Sequence, residues 1–253
     1  MNNRKVIWIT GASSGIGKSV ALKFAKEGWI VAASARRKKL LEQLQSVNEN
    51  IYSFPLDVTD KYECKNVFNN ILKKFNKIEI CLFCTGIHDP LSEKKFNLDK
   101  IRKIIEVNFF GIMNTVDSIY EHFKDKKSGQ ISIVSSVAGY RGLPGAAAYC
   151  SSKSALISFA ESLHFEMKRL NVRVSIINPG FIKTPMTDEN NYTMPMIKSP
   201  EYAANQIYKG LVKSNDFEIH FPKKFTFLMK ILKILPSSLY FRIVKFGLKT
   251  INY

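Results

Sequence analysis

A chain of 253 residues with 45% hydrophobic and 23% charged side chains has the composition of a soluble globular protein and can bury a core without disulfides. Its 38 Lys and Arg against 21 Asp and Glu give a net charge of +17, which invites an anionic partner or reflects a general lysine bias, since all but eight of the 38 are Lys. Four Cys and four His show neither a disulfide framework nor metal-site spacing, and no run of about 20 apolar residues offers a spanning helix. No metal is therefore expected. No stretch of signal-peptide length precedes the first motif, so the expectation is a cytoplasmic protein in a reducing compartment.

In chain order, short apolar runs at 5–10, 30–35, 51–56, 78–84, 130–135, 173–177 and 217–221 read as strands. Helical patterns lie between them at 15–27, 38–47, 60–75, 97–125, 149–169 and 200–213. Continuous apolar runs such as Val6-Ile7-Trp8-Ile9 suit strands covered on both faces. The alternation predicts an α/β fold: a doubly wound, Rossmann-like parallel sheet of about seven strands with helices on both faces. No repeat or linker divides residues 1–221, which read as one dinucleotide-binding catalytic domain.

Thr10 to Gly17, Thr-Gly-Ala-Ser-Ser-Gly-Ile-Gly, follows the first strand and opens the first helix. Gly11 permits a tight turn, Gly15 lets backbone approach a pyrophosphate at the helix N-terminus, and Gly17 allows close helix–strand packing. Ser13, Ser14 and Ile16 complete the expected cofactor contacts of this turn. An NAD site places a carboxylate at the end of the second strand, whereas this strand ends in Arg36-Arg37. The two guanidinium groups suit a 2′-phosphate, so NADP(H) is expected over NAD, unless both are simply solvated side chains opening a helix. Asp57-Val58 is placed to meet the adenine ring, although Asp57 would equally cap the following turn.

Tyr149 and Lys153 stand at i, i+4 on one helix face. With ten Tyr in so Lys-rich a chain, about one such pair arises by chance, and Tyr120 and Lys124 form another. Context separates them. Tyr149 follows a strand ending in Ser135-Ser136 and a Gly-rich segment, at the strand C-terminal edge where open α/β sheets put their sites. Reducing a carbonyl requires a proton for the developing alkoxide. Free Tyr titrates near pH 10, so sharing its proton near neutrality needs a lowering of roughly three pH units, about 4 kcal/mol. An adjacent ammonium such as that of Lys153 acts in that direction, and a Ser hydroxyl can hold the substrate oxygen.

Taken together, these motifs resemble those of the short-chain dehydrogenase/reductase family over about residues 4–221. The resemblance rests on Thr10–Gly17, Asp57, Asn108 in Val107-Asn-Phe-Phe-Gly111, Ser136, Tyr149-x-x-x-Lys153 and Asn178-Pro-Gly-Phe-Ile-Lys-Thr184. It implies a catalytic tetrad of Asn108, Ser136, Tyr149 and Lys153. Tyr149 would be the general acid/base, and Lys153 would bind the nicotinamide ribose and lower the Tyr pKa. Ser136 would orient the carbonyl, and Asn108 would hold a water of the proton relay. Gly86, Pro179, Gly180, Ile182 and Thr184 would contact cofactor, with Thr184 donating to the carboxamide. Two departures stand out. The family's Asn-Asn-Ala-Gly is here Phe83-Cys84-Thr85-Gly86, which predicts lower stability rather than lost chemistry. Ser14 occupies the place where some NADP-preferring members carry a basic residue.

The loop after Thr184 is the family's usual substrate lid and holds Met186, Tyr192, Met194, Met196 and Ile197; Phe181, Leu143 and His88 are expected as further walls. Flexible Met side chains suit an apolar or lipid-like carbonyl, or else simply pack the lid. Residues 222–253 form a basic amphipathic C-terminal helical extension, two apolar stretches flanking Pro236 with no Asp or Glu after Glu218. It would dock on an anionic membrane surface at the cytoplasmic face, or cap the pocket, or pack across a dimer. No basic stripe interleaved with aromatics lies outside it, so nucleic acid is not an expected partner. The expected activity is NADP(H)-dependent hydride transfer between nicotinamide and a small-molecule carbonyl or secondary alcohol. The alternatives are an NAD-dependent alcohol dehydrogenase and a non-catalytic NADP-binding regulatory protein. The resemblance further implies a homodimer or homotetramer packed through 97–125 and 149–169.

Overall fold

The computed structural model describes residues 4–89, 96–188 and 193–250, with the side chains of 247–250 excepted. Strands β1 (Val6–Thr10), β2 (Ile30–Ser34), β3 (Ile51–Ser53), β4 (Ile80–Phe83), β5 (Gln130–Val134), β6 (Arg173–Pro179) and β7 (Glu218–Phe221) form one sheet. Its order is β3-β2-β1-β4-β5-β6-β7 and every pairing is parallel. Helices α1 (Gly15–Lys26), α2 (Lys38–Val47) and α7 (Pro200–Val212) cover one face. Helices α3 (Lys61–Phe75), α5 (Gly111–Lys126) and α6 (Ala147–Lys168) cover the other, and α4 (Leu98–Ile105) packs against α6. The period-2 pleat divides the strands between the two cores: Val6 and Trp8 pack with the α3, α5 and α6 side, Ile7 and Ile9 with the α1 and α7 side. The expected doubly wound sheet is thus the observed one.

Some boundaries differ from those expected. The third strand ends at Ser53 rather than running to 56, although the N–H groups of Phe54 and Leu56 still donate to Ala33 O and Ala35 O beyond it. The single helix expected over 97–125 is α4 and α5 joined by a π-helical turn, Glu106–Phe110. That widened turn carries Asn108, and π turns recur at functional sites.

The extension, described as far as residue 250, packs on the domain through its first helix. Helix α8 (Lys223–Ile234) sinks Phe225, Thr226 and Met229 into the same core as the sheet, and α9 (Ser237–Thr250) follows across Pro236. No helix among the described residues is long and apolar enough to cross a membrane.

Candidate active site

The order reversal between β1 and β4 leaves a crevice at the strand C-terminal ends, the place where open parallel sheets receive ligands. A cleft of about 440 Å³ opens there. Every expected cofactor residue lines it: Gly11, Ser13, Ser14, Gly15, Ile16, Gly17, Arg36, Arg37, Asp57, Val58, Gly86, Tyr149, Lys153, Pro179, Gly180, Ile182 and Thr184. Ser136 joins them.

The glycine turn is sterically dictated. Gly11 sits at φ +68°, and a Cβ there would come within 2.8 Å of the Cys84 carbonyl oxygen; one on Gly17 would reach 2.3 Å from the Gly11 oxygen. These contacts hold α1 close against β1 and aim its N-terminus into the cleft. Helices α3, α4 and α7 have their first turns capped by the side chains of Asp60, Asn97 and Ser199. By contrast, α1 has no side-chain cap and no acidic residue in its first turn. Its free N–H groups and positive dipole end suit an anion.

The hydroxyl of Ser14, which would be the cap, instead accepts from Arg37 Nη2 at 2.6 Å, and Ser13 Oγ accepts from the same guanidinium at 2.8 Å. Arg37 is therefore anchored on the turn, and its charge stands beside Ser14, where a basic turn residue would have been. Arg36 is exposed on the same rim. Asp57 both lines the cleft and shapes the turn that follows, since its Oδ1 accepts from the N–H and hydroxyl of Thr59. The buried Thr85 hydroxyl, on the cleft wall, has no hydrogen-bond partner among the described residues. An open helix end, two guanidinium groups and a spare hydroxyl form a donor set that fits a phosphorylated dinucleotide.

On the opposite wall, α6 presents Tyr149 and Lys153 on one face, with the Lys153 ammonium 5.7 Å from the Tyr149 ring centre. Lys153 is 4% exposed, and its Nζ donates to the Val134 carbonyl at 3.0 Å. Burial pushes its pKa down to about 8, opposed by the nearby Cys84 thiol. Cys84, which stands where the family has Asn, donates its backbone N–H to Thr10 Oγ1 at 3.2 Å; burial pushes its thiol up to about 11.

The two serines after β5 divide their work. Ser135 donates to the Lys153 carbonyl at 2.7 Å and so ties β5 to α6. Ser136 Oγ accepts from Ala138 N–H at 3.1 Å, which leaves its O–H as a donor at the cleft.

Asn108 is fully buried behind the cleft. Its Oδ1 accepts from Ile87 N–H at 2.7 Å, and its amide donates to Ile87 O at 2.9 Å and Ser152 Oγ at 3.1 Å. Both amide hydrogens are committed, and with Oδ1 they clamp the loop after β4 to α6.

The substrate side differs from the sequence reading. His88 does form a wall, its ring 4.8 Å from that of Tyr149, and Met186 lines the cleft. Phe181 and Leu143 do not line it: Phe181 stacks on Phe225 at 5.5 Å, and both pack on the core. The reason is that α8 folds back over 180–181. Met196 and Ile197 are exposed outside the lining, because the chain returns to pair Lys198 beside Ile182; Met194 is outside it too. Tyr192 lies outside the described residues. Sequence reasoning missed Thr85, Ile87 and Thr187 on the lining. Thr187 accepts from Thr184 N–H at 2.8 Å and donates to Ile182 O, fixing the turn after β6. Their position just past β4 and β6 was the available signal.

Comparison with known proteins agrees with this architecture. Residues 5–195 match the family model for short chain dehydrogenase. An uncharacterized oxidoreductase of Myxococcus xanthus (strain DK1622) is 32% identical over 92% of this chain and 93% of its own. The 3-oxoacyl-[acyl-carrier-protein] reductase FabG of Thermotoga maritima is 33% identical over 73% of this chain and 77% of its own. Among solved structures, ElxO with NADP bound superimposes with a TM-score of 0.76 at 28% identity, covering 86% of this chain and 97% of that one. With its parallel seven-stranded sheet, its glycine turn and its Tyr149–Lys153 face, the chain belongs to the short-chain dehydrogenase/reductase family of oxidoreductases.

Proposed function

We propose that the protein is an NADP(H)-dependent reductase of an apolar, lipid-like carbonyl compound. The observation that carries the reading is the placing of Tyr149 and buried Lys153 across one cleft from an uncapped helix N-terminus flanked by Arg36 and Arg37. The turn 13–17, Asp57, Val58, Gly86 and the segment from Pro179 to Thr184 would hold the cofactor, with Arg36 and Arg37 on its 2′-phosphate. The NADP bound by ElxO supports that choice. When bound, the cofactor supplies the hydride.

The chain's own residues do the rest. Ser136 O–H donates to the substrate oxygen and fixes the carbonyl. Tyr149 O–H gives that oxygen its proton as negative charge develops. Lys153, fixed by Val134 O, keeps a positive charge near the phenol and favours tyrosinate. Asn108 is a positioning residue for the loop carrying Ile87 and His88. The apolar substrate preference is supported by Met186 and Ile87 on the lining and by FabG, whose name specifies a 3-oxoacyl substrate. Exposed Phe110 before α5 and Phe165 on α6 support a homodimer or homotetramer.

The test is NADPH oxidation with ketones and aldehydes of increasing chain length. The reading expects rates that rise with chain length and vanish in Tyr149→Phe, and a preference for NADPH over NADH. NADPH binding without turnover of any carbonyl would overturn it in favour of a non-catalytic binder.

A further inference from the structure

The two C-terminal helices pack inward on the domain and carry large exposed apolar side chains outward. Inside, Phe225 covers Gly180 and stacks on Phe181, and Thr226 and Met229 are buried. Arg141 closes the end of α8, donating to the carbonyls of Leu232 at 2.9 Å and Leu235 at 2.6 Å. The same guanidinium lies 4.1 Å over the ring of buried Tyr240, whose hydroxyl donates to Gly142 O. The two helices are thereby tied to the domain, with α8 beside Gly180 of the cleft lining.

Outside, Phe227 is 64% exposed, Ile234 80%, Phe241 64% and Phe246 76%. Half of the large hydrophobics exposed among the described residues fall between 227 and 246. Apolar exposure this concentrated in two consecutive helices is not ordinary solvent-facing composition. Its polar partners carry one sign only. Lys223, Lys224, Lys233, Arg242 and Lys245 are exposed around it. No Asp or Glu follows Glu218, whose carboxylate is occupied by Lys230 at 2.5 Å.

We propose that the outer face of α8 and α9 is a docking site for an anionic lipid bilayer, lying flat in the headgroup region. The aromatic and Ile side chains would enter the acyl boundary while the lysines meet lipid phosphates, as basic amphipathic helices do. The charge pattern selects this occupant. A second copy seated on the face by two-fold symmetry would set these cations against their own images. The helices, 12 and 14 residues long, are too short to span. The proposal is independent of the catalytic reading, because it uses no residue of the cleft.

The test is co-sedimentation of the full chain with phosphatidylcholine vesicles, with and without phosphatidylserine. Binding at least about tenfold tighter to the anionic vesicles, and released by salt, is expected. The outward triple variant Phe227→Ser, Ile231→Ser, Phe241→Ser keeps Phe225, Met229 and Tyr240, so NADPH binding should persist while vesicle binding falls about tenfold or more. Should that variant fail to fold, Lys233→Glu with Lys245→Glu gives the same test, with about tenfold weaker binding at low salt. Equal affinity for neutral and anionic vesicles, or unchanged binding by the variants, would overturn the proposal. So would a concentration-dependent dimer, abolished by the triple variant, in a protein that ignores vesicles.

Discussion

The chain contains the same Tyr-x-x-x-Lys spacing twice, and the two copies behave differently. At the end of α5, Lys124 is exposed and pairs with Glu121 at 2.9 Å, which holds its pKa above the ordinary lysine value. At the start of α6, Lys153 is buried, donates to a backbone carbonyl, and is pushed down to about 8. Spacing puts a Tyr and a Lys on one helix face; burial and the absence of a carboxylate partner decide whether the ammonium is chemically useful. An exposed pair of the Lys124 type contributes little to stability and nothing to a site.

Mutation of both copies should separate them most strongly at the phenols. Tyr149→Phe is expected to lower kcat by about 10²- to 10⁴-fold with NADPH affinity retained, whereas Tyr120→Phe leaves kcat within about twofold. Parallel steady-state kinetics and cofactor titrations give both numbers. The lysines come next. Lys153→Met should cost roughly a hundredfold in kcat/KM. The same change should stabilise the fold by about 2 kcal/mol near pH 7, because a buried ammonium is replaced by an apolar chain. Lys124→Met should move stability by less than about 0.5 kcal/mol, as denaturant midpoints will reveal.

The pH dependence follows with its sign. Lys153 has a folded pKa of about 8 against an ordinary 10.5, so the folded state holds fewer protons than the unfolded state between those values. The burial cost is complete below about pH 8, and stability rises from there towards 10.5. Activity moves oppositely: kcat/KM for carbonyl reduction should fall as pH climbs through about 8 and the ammonium loses its charge. A profile flat across that range would break the contrast between the two lysines. Cofactor choice comes last. Arg37→Asp should shift the NADPH-to-NADH preference by about 10- to 100-fold, from the loss of charge-assisted bonds. Arg36→Asp should shift it less, since Arg37 is the one tied to Ser13 and Ser14.

Much of this is legible in the sequence, for physical reasons. Continuous apolar runs identified the strands, because a sheet covered on both faces must be apolar on both. The glycine turn and Tyr149-x-x-x-Lys153 were legible because they sit at strand C-terminal edges. What stayed hidden depends on distant parts of the chain. Nothing local in 180–181 shows that α8 will fold over it, so Phe181 read as a substrate wall when it is a packing surface for Phe225. The π turn at 106–110 continues the apolar pattern of its neighbours through Phe109 and Phe110, so hydrophobic period alone did not expose it. The choice of Arg37 over Arg36 rests on two serine hydroxyls of the adjoining glycine turn, which no spacing rule records. The tail's charge and apolar content were plain, but its division into a packed face and an exposed face needed Arg141 and Tyr240 in place.

The most direct test of the central claim is transfer of deuterium from NADPH deuterated at C4 of the nicotinamide to a long-chain 3-oxoacyl thioester, in a single turnover. The account predicts deuterium on the new carbinol carbon with the wild-type protein, and NADPH binding without transfer in Tyr149→Phe. Equal transfer by that variant, or no transfer by a wild-type protein that binds NADPH tightly, would contradict it.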